Sequence, residues 1–155
     1  MIEKISLNIK APLEKVLNFF GETPAGYQTH YKDVSTDHIE RVVSAKSLDL
    51  ANPDVSFYFK QHSPITGRVQ KVRGKIAKAE LDKTTGMYRI KTKFLFPTSL
   101  FIPEYDSVIE PKEEETIVTI YLHFTFLLKF AEKSRKKVVA HIREELETSK
   151  KLIEG

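Results

Sequence analysis

With 155 residues, 41% hydrophobic and 30% charged, the chain has the size at which one continuous core forms, and lacks the bias of a disordered or fibrous segment. It contains no cysteine, which excludes disulfides, thiol catalysis and thiolate metal sites and leaves any metal to His, carboxylate or amide ligands. The net charge of +4 is spread rather than gathered: in Arg89-Ile90-Lys91-Thr92-Lys93 the bases alternate with Ile90 and Thr92, so no nucleic-acid partner is expected.

Residues 1–10 alternate, with Ile5, Leu7 and Ile9 on one face, and predict a half-buried strand. They carry Glu3, Lys4 and Lys10 and lack a signal peptide's apolar centre. Ala11-Pro12 then opens a short helix through Phe20, since the first helical turn needs no amide donor from proline. Gly21, Pro24 and Gly26 follow, leaving residues 27–31 as a second short helix or a turn.

From residue 38 the apolar period is two, which predicts strands over 38–45, 55–62, 68–79, 87–96, 101–110 and 116–128. Turn signals separate them at Asn52-Pro53, 64–67, 84–86 and Pro111-Lys112. These hairpin-length connections imply an antiparallel meander whose edge the first strand can close. In the last strand, Val118, Ile120, Leu122, Phe124, Phe126 and Leu128 share the core face, and His123 falls outside as a plain outer-sheet residue. Residues 131–154 read as a helix of about six turns, with Val138, Ile142, Leu146, Leu152 and Ile153 along one stripe.

An amphipathic helix of that length must cover an apolar surface, and the sheet's inner face is the one available. The expected architecture is therefore α+β: a single helix-grip domain over residues 1–155. In it, a curved antiparallel β-sheet of about seven strands wraps around a long C-terminal α-helix, with two short helices after the first strand. A helix laid on a curved sheet tends to leave a cavity, the usual setting for a small molecule. Phe57, Phe59, Phe94, Phe96 and Phe124 from the sheet, Tyr31 and Tyr105 with hydroxyls, and Val138 and Ile142 from the helix are the candidate lining. The loop 97–103, bounded by prolines, is a candidate lid or plug. No segment reaches the roughly 20 apolar residues of a membrane span, so no membrane insertion and a cytoplasmic location are expected.

The order of elements, and the opening Ile5-Ser6-Leu7-Asn8-Ile9-Lys10-Ala11-Pro12-Leu13-Glu14-Lys15-Val16, resemble the START-related superfamily. That superfamily includes the birch pollen allergen, polyketide cyclases and lipid-transfer domains. A narrower resemblance rests on Thr29-His30-Tyr31-Lys32-Asp33, Asp37-His38-Ile39-Glu40 and His141-Ile142-Arg143-Glu144-Glu145, which look like the catalytic domain of diacetylphloroglucinol hydrolases. It implies a zinc ion, held by two His and two carboxylates, that assists cleavage of a carbon–carbon bond beside an aryl ketone. His38 would match the first His, with His30 as its alternative, and His141 with Glu145 the pair on the long helix. The strand expected to supply the last carboxylate reads Phe59-Lys60-Gln61-His62, which offers Gln61 or His62 instead.

Spacing alone puts His141 and Glu145 on one helix face, within reach of a common divalent ion, with Glu145 inside the apolar stripe. A Glu so placed needs a cation, a proton or a hydrogen bond, and Arg73 or Lys75 of the sheet is the alternative partner. Two functions follow as expectations. One is a metal-dependent hydrolase or related enzyme acting on a small apolar ketone or polyketide-like compound. The other is a non-catalytic carrier of a lipid or hydrophobic metabolite. In both, the partner is a small hydrophobic or aromatic molecule. A third, that the basic run at 133–137 meets an acidic protein partner, is also open. There is no Gly-rich phosphate loop, no Gly-x-Ser-x-Gly elbow and no His-Glu-x-x-His helix.

Overall fold

The computed structural model describes residues 1–21, 56–129 and 131–155. Strand β1 (Ile2–Ile9) leads into helix α1 (Leu13–Gly21), and the meander β2 (Ser56–His62), β3 (Val69–Leu81), β4 (Tyr88–Phe94), β5 (Glu104–Lys112) and β6 (Glu115–His123) follows. A short helix α2 (Phe126–Lys129) precedes the long helix α3 (Glu132–Glu154). The described strands form one curved, unclosed antiparallel sheet in the order β1-β6-β5-β4-β3-β2, so β1 pairs with β6 along the meander's far side. The expected strand at 38–45 and short helix at 27–31 lie outside the described residues.

Turn chemistry fixes the register. Ser63 Oγ accepts from the amides of Ile65 and Thr66, both at 3.2 Å, and Gly67 closes that turn at φ 73°. Asp82 repeats the device four residues before Gly86: Oδ1 accepts from the Thr84 amide at 2.9 Å, and Gly86 has φ 74°. A side chain would strain both glycine positions. The third turn is not at Pro111-Lys112 as expected. Both residues belong to β5, and Glu113, at φ 58°, turns the chain. Proline is tolerated there because β4 pairs with β5 only as far as Ile109, so Pro111 borders β6 alone.

Inner-face residues of β1 and β6 interdigitate with the helices. Ile5, Ile9, Val118, Ile120 and Leu122 are at most 2% exposed, and they join Val16 and Phe19 of α1 and Val138, Leu146 and Ile153 of α3 in one core. Thr116 is fully buried within it and donates its hydroxyl proton to the Ala11 carbonyl at 2.8 Å, satisfying both groups where β1 hands over to α1. At its C-terminal end α3 is tied to the β1 exit: Lys150 Nζ donates to the Asn8 carbonyl, and Glu154 Oε1 accepts from the Lys10 amide, each at 2.7 Å.

The last strand is shorter than its apolar alternation predicts. It ends at His123, where the Thr125 amide turns to the Phe101 carbonyl at 3.0 Å and α2 begins. Phe124 and Leu128 still reach the core, but Phe126 is 70% exposed. The helical turn breaks the period of two that had placed Phe126 inside. Likewise β4 ends at Phe94 and β5 begins only at Glu104, with a 3-10 turn (Thr98–Leu100) in the loop between them, so the expected strands at 87–96 and 101–110 are both shorter at that end.

Candidate functional site

Directly opposed residues of an antiparallel pair share a face, so the register assigns the inner surface of the sheet's second half. Tyr105 and Ser107 of β5 oppose Leu122 and Ile120, and across β4 they oppose Thr92 and Ile90. Ile76 of β3 opposes Thr92, and Gly74 opposes Phe94. Helix α3 runs closest to β1 and α2, and then to α1. Inner residues beyond that line are mixed: Ile90, Thr92 and Val72 are buried, whereas Tyr105, Ser107, Ile76 and Phe94 remain half-buried, although Tyr105 and Ser107 have strands on both sides. A side chain flanked by strands and facing inward keeps solvent contact only where nothing packs directly over it. A bulge between Ile76 and Lys78 adds to the bend there.

On the helix, the buried stripe contains Val138, His141, Leu146, Ser149 and Ile153. His141 is 7% exposed, and its Nε2 lies 3.2 Å from Oε1 of Glu145, which is 23% exposed. One turn further on, the Ser149 hydroxyl donates to the Glu145 carbonyl at 2.9 Å. The helix thus presents His141 within the buried stripe and Glu145, expected inside it, at its half-exposed edge, at the i, i+4 spacing that lets the side chains meet. The expected alternative partners of Glu145 are placed elsewhere: Arg73 and Lys75 alternate with Val72, Gly74 and Ile76, so they fall on the outer face and are exposed.

The remaining expected residues divide by place. Phe94 packs edge-on against Tyr105, with ring centroids 6.4 Å apart at 77°. Phe124 and Val138 are buried in the core, and Ile142 packs against it half-buried. Phe96 is not a lining residue: it is 71% exposed in the turn after β4, which carries it away from the inner face. Phe57 and Phe59 lie opposite Gly74 and Val72, and Gln61 opposite Gln70, in β2, whose side chains before His62 are outside the description. Tyr31, His30 and His38 also fall outside the described residues. His62 closes the β2–β3 hairpin, its Nδ1 2.8 Å from the Gly67 carbonyl, and is not brought to the helix pair.

Among the described residues, no third His, Asp or Glu joins His141 and Glu145. Two donors fall short of the three or four protein ligands zinc takes, so the described part of the set is incomplete. The basic run at the start of α3 is partly neutralised, with Lys136 Nζ 3.1 Å from Glu132 Oε1. An open groove of about 580 Å³ beside it, between β1 and the helix flank, mixes Arg135, Lys136 and Arg143 with Glu3, Glu144 and Glu147.

The outer face holds a grouping the sequence reading missed. His123 Nε2 lies 3.0 Å from Asp106 Oδ2 and 3.4 Å from Glu104 Oε2, and Lys91 Nζ lies 3.4 Å from Glu104 Oε1. Burial, then the neighbouring Glu104 charge, raises the Asp106 carboxyl above its ordinary value, against the lowering pull of His123 and Lys91. Once the β5–β6 register is known, His123 sits directly opposite Glu104. The sequence offered only an alternation.

No family model and no curated protein sequence matches the chain. Solved structures do match in fold. Ara h 8.0201 superposes with a TM-score of 0.63 at 11% identity, over 100% of this chain and 95% of that one. Norcoclaurine synthase from Thalictrum flavum, in complex with dopamine and hydroxybenzaldehyde, gives 0.60 at 9% identity, over 99% and 86%. The di-domain ARO/CYC BexL from the BE-7585A biosynthetic pathway gives 0.58 at 17% identity, over 99% of this chain and 46% of that one. The chain therefore has the helix-grip fold. Among the described residues, no helix is long and apolar enough to cross a membrane.

Proposed function

We propose that this domain binds a small, largely apolar molecule between α3 and the inner face of β3–β5, with the ligand's polar end directed to His141 and Glu145. The observation that carries this reading is the half-buried state of Tyr105, Ser107, Ile76 and Phe94 on the inner face, beside a strip of comparable residues at most 2% exposed. Apolar walls with a few convergent polar groups are the usual makeup of such sites. The ligand complex of the similarly folded norcoclaurine synthase, with dopamine and hydroxybenzaldehyde, supports an aromatic ligand class. The test is twofold: mass spectrometry of organic extracts from the purified chain, and fluorescence titration with anilinonaphthalene sulfonate under native conditions. A co-purifying small molecule or saturable one-site binding is expected. An empty extract together with no saturable binding would overturn the reading.

A finer reading, favoured by the i, i+4 pair of buried His141 and half-buried Glu145, makes the domain a metal-dependent hydrolase of ketone or polyketide-like compounds. His141 and Glu145 would hold a zinc ion with His38 and with Gln61. Such an ion polarises a carbonyl and lowers the pKa of a bound water. Metal analysis of untagged protein checks it: zinc lost on His141→Ala supports the hydrolase, and metal content indifferent to that change leaves the carrier reading.

A further inference from the structure

We propose that Glu104, Asp106 and His123 form a divalent transition-metal site, with zinc as its first occupant, on the outer face of the sheet and separate from the helix pair. The three side chains offer one imidazole nitrogen and two carboxylate oxygens, all within 4.8 Å of one another. They stand on β5 and β6 rather than on loops, with Glu104 directly opposite His123. Paired strands hold donors more firmly than loops do.

The spacing fits an ion. With metal–ligand distances of about 2.0–2.2 Å, neighbouring donors around a metal sit about 3–3.6 Å apart, and His123 Nε2 lies 3.0 and 3.4 Å from its two oxygens. The same nitrogen serves both carboxylates, yet an imidazole nitrogen carries one hydrogen at most and can donate to one of them well. Asp106 Oδ1 is shielded from solvent and has no hydrogen-bond partner among the described residues. The grouping thus has more acceptors than donors. Its near cation, Lys91, balances one of the two carboxylates. A divalent ion between the three would take up the remaining negative charge and the imidazole lone pair together, and the mixed N/O donor set suits zinc.

A bound ion there would fasten β5 to β6 beside the end of β6, where the chain turns into α2. Because it binds the folded chain, it would raise the melting temperature with metal concentration. The rival occupant is a proton: an imidazolium at His123 would bridge the two carboxylates without any metal.

The test uses the full chain, purified without a His tag, stripped with chelator and titrated with zinc chloride by calorimetry near neutral pH. Cobalt(II) absorption in the visible reports the ligand field. One ion per chain is expected, with a rise in melting temperature. His123→Gln and Glu104→Gln should each weaken binding by about tenfold or more, as loss of a ligand does, while Glu80→Gln, at an exposed carboxylate on β3, leaves it unchanged. Both changes lie on the solvent side of the sheet, and the parent titration stands even if a variant folds poorly. No zinc uptake by the parent would overturn the proposal, as would uptake unaffected by His123→Gln. Uptake abolished by Glu145→Gln but not by His123→Gln would assign the ion to the helix pair and overturn this site alone.

Discussion

The two halves of the sheet's inner face share a geometry and differ in what covers them. Under α3, the β1–β6 half contributes Ile5, Ile9, Ile120 and Leu122 to a core with no solvent contact worth the name. Across β5, the inner face carries Tyr105 and Ser107, which keep solvent contact in the middle of a sheet. One half spends its inner surface on stability. The other leaves part of that surface available, beside the helix that carries the polar pair.

The largest effect separates the halves directly. Ile120→Ala should cost about 2–5 kcal/mol, because the site lies between β1, β5 and the helices and cannot collapse to fill the space. Ile76→Ala, across the sheet where packing is already incomplete, should cost clearly less. Urea unfolding of both variants measures the gap; equal losses would erase the distinction between the halves.

Filling the open half is the second test. Ser107→Leu adds bulk where Ser107 is only half-buried, and it should change stability by less than about 1 kcal/mol, whereas overpacking a closed core costs about 1–3. Probe affinity should fall by about tenfold, which is about 1.4 kcal/mol. A Leu that destabilises the fold strongly would mean that the space over β5 is already occupied.

The third change addresses the helix. His141→Leu keeps the stripe apolar and removes a partner of Glu145, which at 23% exposure still reaches water. Unfolding free energy should move by about 1 kcal/mol, with a drop in probe affinity as the larger consequence. Loss of several kcal/mol with binding intact would make the pair structural.

Much of this arrangement was legible in the chain. The alternation of β6 and the 3.6-residue stripe of α3 report burial directly, and Gly67 and Gly86, inside the expected turns, take backbone conformations that few other residues accept. Misreadings came where a local period is overridden. Phe126 continues the alternation of β6, yet the Thr125 amide turns away to Phe101 and starts a helix. Pro111 looks like a turn residue and is a strand residue, because its neighbour β4 has ended. His123 was legible as outward-facing but not as clustered, since its partners Glu104 and Asp106 are 17 or more residues away and meet it only through strand register. Composition carries no register.

The smallest effect tests what holds the helix on the closed half. Glu154 Oε1 accepts from Lys150 Nζ and from the Lys10 amide, each at 2.7 Å, joining the end of α3 to the chain as it leaves β1. The Lys150 hydrogen bond, then that from the Lys10 backbone, lowers the Glu154 carboxyl below its ordinary value. A carboxylate with a lowered folded-state pKa binds fewer protons folded than unfolded across that interval, so it contributes stability above the ordinary carboxylate pKa and loses it as pH falls through the folded value. Glu154→Gln should therefore lower the urea midpoint slightly at neutral pH, while in acid below both values the parent and variant midpoints converge. The contact is exposed to water and screened, so the neutral-pH difference should also shrink with added salt. A difference that persists unchanged in acid would show that Glu154 acts through packing of its stem, and that the α3 clamp owes nothing to its charge.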